Sequence, residues 1–325
     1  MKLARRQFLQ RAAATSILPA MPHVAGAETY PARPVRLIVG YAAGGGTDIV
    51  ARLMGQWLSE RFGQQFVVDN RPGANTNIAT ELVVRAQPDG YTLLVADTSA
   101  AINATFYDKL SFNFIHDTTA VSGAARQPQV IATNLSVPAR TLPEFIAHAK
   151  ANPGKISMGS PGSGNIGHVC GELFKMRTGT IMVHVPYRGS GPALIDLLGG
   201  HVQVLFAGSL PTLGYLRSGR LRVLAVTGAA RLDALPDVPT VGEFIPGYEA
   251  DDWKGIVAPK NTPTEIVDKL NSEINAALAD PKIKARLAEL GSTILAGSPA
   301  EFGGLVADET EKWAEVVRVA NLKPE

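Results

Sequence analysis

The chain has one cysteine in 325 residues, so it closes no internal disulfide and builds no Cys-rich zinc site. It has little net charge. Its 31 basic and 29 acidic side chains leave no electrostatic footprint for nucleic acid. Beyond the amino terminus, no apolar run approaches the roughly 20 residues of a membrane-spanning helix. There is no G-x-S-x-G, no H-E-x-x-H and no G-x-x-x-x-G-K-[ST], which removes the local signs of a serine hydrolase, a zinc peptidase and a phosphate-loop NTPase. His168 and Cys170 lie two apart but lack further ligands at metal spacing. No catalytic residue, metal or cofactor is expected.

What charge there is lies unevenly. Residues 1–27 hold Lys2, Arg5, Arg6 and Arg11 and no acid, so the rest of the chain carries −2 while the whole carries +2. An apolar stretch from Ala12 to Met21 follows, then Ala25-Gly26-Ala27 as a small-x-small cleavage site before Glu28. This order is that of an export signal, with an apolar part too short for a permanent membrane helix. Arg5-Arg6-Gln7-Phe8-Leu9 resembles a twin-arginine motif, from which Ala4 and Gln10 depart, so the twin-arginine and general secretory routes both stay open. No Cys stands beside the cleavage site to carry a lipid. The mature protein, cleaved after Ala27, is expected to be a soluble periplasmic monomer.

From Val35 the chain alternates short β-rich runs with helical patterns. Strands are expected at Val35–Val39, Phe66–Val68 and Thr92–Ala96, with helices at Asp48–Phe62 and Ile78–Ala86 between them. A second such set follows, with strands near Val130, Ile156, Met182, Val202 and Val223 and helices opening at Leu142, Ile166, Ala193 and Leu213. Residues 228–250 read as a connection, followed by a strand at Gly255–Val257 and helices at 264–279, 281–290 and 299–318. This alternation predicts an α/β protein whose lobes are mostly parallel sheets flanked by helices.

Two segments share one design of strand, glycine-rich loop and helix start. Ile38 to Asp48 is the first, and Ser157 to Asn165 the second. The first amides of a helix lack intrahelical partners and carry partial positive charge, and glycine lets a ligand come close. Each loop is therefore a candidate anion site facing a cleft between lobes. Gly162-x-Gly164-x-x-Gly167 has the form of a dinucleotide fingerprint, but the region about 20 residues on, Met182 to Tyr187, lacks the ribose-binding acid.

At this point a resemblance becomes specific. Pro34 to Gly40, Gly44 to Arg52, Asn70-Arg71-Pro72-Gly73-Ala74 and Pro88-Asp89-Gly90-Tyr91-Thr92 resemble the Bug, or tripartite tricarboxylate transporter, solute receptors. The likeness continues through Gly171 to Phe174, His184 to Gly189, Asp196 to Gly200, Leu235 to Thr240 and Thr262-Pro263. It implies a two-lobed periplasmic binding fold, with lobe one at 28–126 and 248–325 and lobe two at 127–247. It also implies a small carboxylate as ligand and integral membrane transporter subunits as partners. A sensor that signals to a membrane kinase is the alternative role. Three departures stand out. Ala42 and Ala43 replace prolines common in the first loop. Asn165, Ile166 and Gly167 replace hydroxyl residues in the second. Ala207-Gly208-Ser209 lacks an acid for a ligand amine, which argues for a non-amine ligand.

The candidate ligand-binding residues in the first set are Tyr41, Gly44, Gly45, Gly46, Thr47 and Asp48 in the loop, and Thr98 and Ser99 after the third strand. In the second they are Ser160, Gly162, Ser163, Gly164 and Asn165, with Ser209 after a later strand. Asp48 also reads as a helix cap that steadies its loop. His168 and Cys170 read as buried structural residues, and Arg188 as a solvent-facing turn residue. A side chain added at Gly45 or Gly164 is expected to abolish binding and leave the fold intact.

Overall fold

The computed structural model describes residues 30–324, so the expected export signal lies outside the described residues. Ten strands run in chain order: β1 Val35–Val39, β2 Phe66–Asn70, β3 Thr92–Asp97, β4 Thr118–Thr133, β5 Ser157–Ser160, β6 Val183–Pro186, β7 Val204–Gly208, β8 Arg222–Val226, β9 Asp251–Pro259 and β10 Thr293–Ile294. The α-helices are α1 Gly46–Phe62, α2 Asn77–Val84, α3 Thr98–Phe106, α4 Phe114–Asp117, α5 Leu142–Ala151, α6 Ile166–Thr178, α7 Ser190–Gly199, α8 Ser209–Arg217, α9 Thr264–Ala279, α10 Pro281–Glu289 and α11 Pro299–Val319. Among the described residues, no helix is long and apolar enough to cross a membrane.

The strands lie in the order β2-β1-β3-β9-β4-β7-β5-β6, with β8 and β10 also paired to β4. At one flank β2, β1 and β3 are parallel; at the other β6, β5 and β7 are parallel. Between these triplets run β9 and β4, antiparallel to each other and to their neighbours. Each triplet with its helices forms one lobe. β4 belongs to both: Thr118 to Pro128 pairs with β9, and Gln129 to Thr133 pairs with β7 and β8.

Burial explains the triplets. Leu37, Ile38 and Val39 are fully buried, as a parallel strand covered on both faces requires. α1 presents Val50, Ala51, Met54 and Leu58 to one face of the first lobe, where they meet Leu37, Leu93 and α9 residues Leu270 and Ile274. On the opposite face one core runs through both lobes, from Ile38 and Leu94 to Phe174 and Phe206, closed by Trp253 and by Trp313 of α11. A third cluster, including Val130, Leu205, Leu194 and Leu197, covers the other face of the second lobe.

Two elements exceed the sequence expectation. β4 was expected only near Val130 but begins at Thr118; its irregular register at Ala120–Ser122 and Gly123–Ala125 breaks the alternation that would have marked it. For α3 the sequence reading named only Thr98 and Ser99, as candidate ligand-binding residues after the third strand, and expected no helix. α3 is a helix capped by Asp97, whose carboxylate accepts from Ser99 N, and it is buried on nearly every side.

Gly167 shows how closely α6 lies over the sheet. A Cβ there would stand 2.4 Å from the Phe206 carbonyl oxygen of β7 and 2.9 Å from Pro161 Cδ. Backbone cannot yield as a flexible side chain does. Gly167→Ala is therefore expected to cost about 1–3 kcal/mol, read as a lowered denaturation midpoint at unchanged m.

Candidate ligand cleft

Each of the six parallel strands is followed by a helix, and four of these helix starts carry the candidate residues. β1 leads through a loop to α1, and β5 through a loop to α6; β3 runs directly into α3, and β7 directly into α8. Because β1 pairs with β3 and β5 with β7, each lobe sets two helix N-termini side by side at the carboxyl edge of its sheet. The second-lobe candidates reach the first lobe. Asn75 Nδ2 donates to the Gly164 carbonyl at 3.4 Å, and Ser209 Oγ donates to the Gly291 carbonyl at 3.4 Å.

In the first loop, Ala42 to Gly45 are exposed. Gly45 is the cap residue of α1 and provides no side-chain cap. The first amide to bond back is Ile49 N, to the Gly45 carbonyl at 3.0 Å. The amides of Gly46, Thr47 and Asp48 accordingly have no hydrogen-bond partner among the described residues. Asp48 turns away from them. Its carboxylate accepts from Gly44 N at 2.8 Å, from Arg52 through two bonds of 2.9 Å and from Asn70 Nδ2 at 2.9 Å. Burial alone would lift its pKa, but these bonds hold it below its ordinary value. Asp48 braces the loop with its charge answered by Arg52.

Tyr41, Thr47 and Ser99 converge around Asp97. Tyr41 OH and Ser99 Oγ lie 2.8 Å apart, and Thr47 Oγ1 donates to Asp97 Oδ2 at 3.1 Å. Burial, with Asp97 adding to it, raises the Tyr41 phenol well above its ordinary pKa, so it stays a donor. Thr98 is committed elsewhere. Its hydroxyl donates to the Asp251 carbonyl at 3.2 Å and accepts from Trp253 N at 2.9 Å, which ties α3 to β9.

The second loop is more self-satisfied. Asn165 Oδ1 caps α6 through His168 N at 3.0 Å, and Gly164 N donates to His168 Nδ1 at 3.0 Å. Ser160 Oγ lies 2.7 Å from His184 Nε2 and also bonds within its loop to Gly162. Ser163 is half-exposed, and its hydroxyl has no partner among the described residues. Gly164 has φ +72°, and a Cβ there would lie 2.6 Å from the Phe106 ring, so a side chain at this position disturbs the fold as well as the cleft. At Gly45 the nearest neighbour of such a Cβ is the Ala42 carbonyl at 3.9 Å. Only Gly45 meets the expectation of a substitution that spares the fold.

Sequence reading missed a buried polar cluster beside the first loop. Lys254 is 1% exposed, and its Nζ lies 2.7 Å from Asp252 Oδ2 and 3.3 Å from Gln127 Oε1. Asp97 faces Lys254 across the β3–β9 pairing. Burial, then the nearby Asp252, raises the Asp97 pKa, against the pull of Lys254. The signal was present in Asp252 and Lys254, two charges two residues apart in an apolar run, which share one face of a strand. Among the described residues, no group of three or more His, Cys, Asp or Glu is placed to hold a metal ion.

His168 and His184 stack with ring centroids 3.6 Å apart and planes 4° apart. Burial, with His184 and Lys175 adding to it, lowers the His168 pKa to about 3; burial and Lys175 lower that of His184 to about 4. Heteronuclear NMR of the folded protein should show both imidazoles neutral down to about pH 5, whereas histidines in the unfolded chain titrate near 6.5.

Comparison with known proteins agrees with this architecture. The family model for the tripartite tricarboxylate transporter family receptor matches residues 50–322. Protein BugT of Bordetella pertussis is 37% identical over 300 residues, covering 91% of this chain and 92% of its own. Rpa4515 of R. palustris, solved with adipate, is 36% identical with a TM-score of 0.82, over 91% of this chain and 100% of that one. MatC of Rhodopseudomonas palustris, solved with bound malate, is 29% identical with a TM-score of 0.78, over 89% and 100%. A two-lobed α/β chain with helix N-termini gathered at its cleft, matched over this length, belongs to the tripartite tricarboxylate transporter receptor family, whose members are solute receptors and not enzymes.

Proposed function

We propose that the mature protein is a periplasmic receptor that holds a small organic carboxylate between its lobes and presents it to the integral membrane subunits of a tripartite tricarboxylate-type transporter. Lobe one is residues 28–126 with 248–325, and lobe two is 127–247. The observation that carries this reading is the bare N-terminus of α1, with three unpartnered amides in a glycine-lined turn beside Gln127 and Lys254. Adipate in Rpa4515 and malate in MatC support the ligand class.

The energetics require more than one loop. A micromolar site needs roughly −8 kcal/mol, and a charge-assisted hydrogen bond contributes about 1.5–3 kcal/mol. Three amides of α1 supply about that much before lost motion is subtracted. Donors from the second lobe make up the difference: the Ser163 hydroxyl and the first amides of α6 and α8.

A thermal-shift screen of organic acids on the protein beginning at Glu28 tests the reading. A carboxylate at a hundred times its Kd should stabilise by about 2.7 kcal/mol through mass action. If neutral solutes shift the transition and no carboxylate does, the reading fails. Gly45→Val should then weaken the best carboxylate at least about tenfold by calorimetry, because its side chain crowds the α1 amides. Its melting temperature without ligand should fall by no more than about a few degrees, since the position has open space and extended backbone and valine loses only glycine's N-cap preference. Equal affinity in the two proteins would place the carboxylate elsewhere.

A further inference from the structure

Lys254 occupies an unusual position. It sits in β9 among Trp253, Gly255, Ile256 and Val257, all buried, and is itself 1% exposed. A buried ion pair seldom stabilises a fold more than apolar side chains of the same size, so stability alone gives weak reason for an ammonium there. Its surroundings give another. An ammonium has three N–H donors, and among the described residues two acceptors reach it, Asp252 Oδ2 and Gln127 Oε1. A Cβ at Gly46 would stand 3.5 Å from Lys254 Cε and 4.0 Å from Nζ, so the ammonium lies beside the first unpartnered amides of α1. Gln127 also donates to the Leu290 carbonyl, next to Gly291, which Ser209 touches from the second lobe.

We propose that Lys254 is a specificity-determining residue of the cleft: its third N–H binds the ligand carboxylate that sits on the α1 amides, and so selects acids over their neutral amides. This rests on the carboxylate reading above. Asp252 holds the ammonium in place and competes with the ligand for it. Asp97 and Asp252 surround the site with negative charge, and without Lys254 they would repel an anion from the α1 amides.

Three variants separate this role from a structural one. Lys254→Met leaves Asp252 without its partner and risks misfolding; Lys254→Met with Asp252→Asn removes both charges together. The probes are the tightest-binding straight-chain dicarboxylate of a four- to eight-carbon panel and its diamide, measured by calorimetry. The double variant should bind the acid about 10- to 100-fold more weakly, with the diamide changed less than about threefold, the loss of one charge-assisted bond. Asp252→Asn alone should bind the acid more tightly than wild type, because a competing carboxylate is gone. If the double variant keeps the wild-type acid-to-diamide ratio, or if Asp252→Asn binds the acid no better, Lys254 is structural and the inference is wrong. If wild type itself binds no carboxylate, the proposed function falls, and this inference with it.

Discussion

The antiparallel pairing of β4 with β9 is the constraint on which the cleft depends. Each lobe contributes a parallel triplet, and a parallel triplet sends the carboxyl ends of its strands, and the helix starts that follow, to one edge. Nothing within either triplet fixes where that edge lies relative to the other lobe. β4 does so by serving both, with its first part paired to β9 and its last five residues to β7 and β8. The buried polar cluster is built on the same pairing. Gln127 stands opposite Asp252 in the β4–β9 ladder, and Lys254 opposite Asp97 in the β3–β9 ladder. One shared ladder thus positions both the helix ends and the charges beside the first of them.

Residues 28–325 carry a net charge of −2, so overall attraction would not draw in the proposed carboxylate. Recognition has to be local. The four cleft helices divide the task unequally. α3 and α6 spend part of their first turn on their own side chains, Asp97 and Asn165. α1 and α8 begin at Gly45 and Gly208, which carry no capping side chain. A glycine cap forgoes only about a few tenths of a kcal/mol of helix stability, and leaves the first amides without a side-chain partner. Each lobe therefore has one capped and one uncapped helix start, a division that the two matching glycine loops alone did not reveal.

Legibility in the sequence followed the range of the interactions involved. β1, α1, β3 and α9 were visible because their burial is recorded locally, as runs of Val, Ile and Leu or as helical spacing. The first loop was visible for the same reason, since glycines beside a helix start mean something on their own. β4 was largely hidden, because Gly123, Pro128 and two register shifts erase its period. α3 was hidden because a helix buried all round has no polar face to set its rhythm. The buried polar cluster was hidden most completely. Lys254 acquires its significance from Asp97 and Gln127, which sequence places far away and strand register brings to the same face. The stacking of His168 on His184 likewise depends on β5 pairing with β6 and on α6 packing above them.

Buried ionisable groups at the lobe junction also act on stability, in opposite directions. Asp251 has a carboxylate oxygen with no hydrogen-bond partner among the described residues, and burial, with Glu249 adding to it, raises its pKa to about 7. An acid with a raised pKa contributes stability that is complete below its unfolded value of about 3.9 and is lost as pH rises through about 7. His168 and His184 do the reverse. Their lowered pKa values contribute stability that is present above about 6.5 and is lost as pH falls toward 4. Between about pH 4 and 6.5 the two contributions run against each other, one growing on acidification as the other fades. Asp251 begins β9 opposite Pro128, where β4 passes from one lobe to the other, and Ser160 and Gly164 of the second loop bond to His184 and His168. Acidification therefore favours the start of β9 at Asp251 and strains the support of the second loop, so the two do not weaken together.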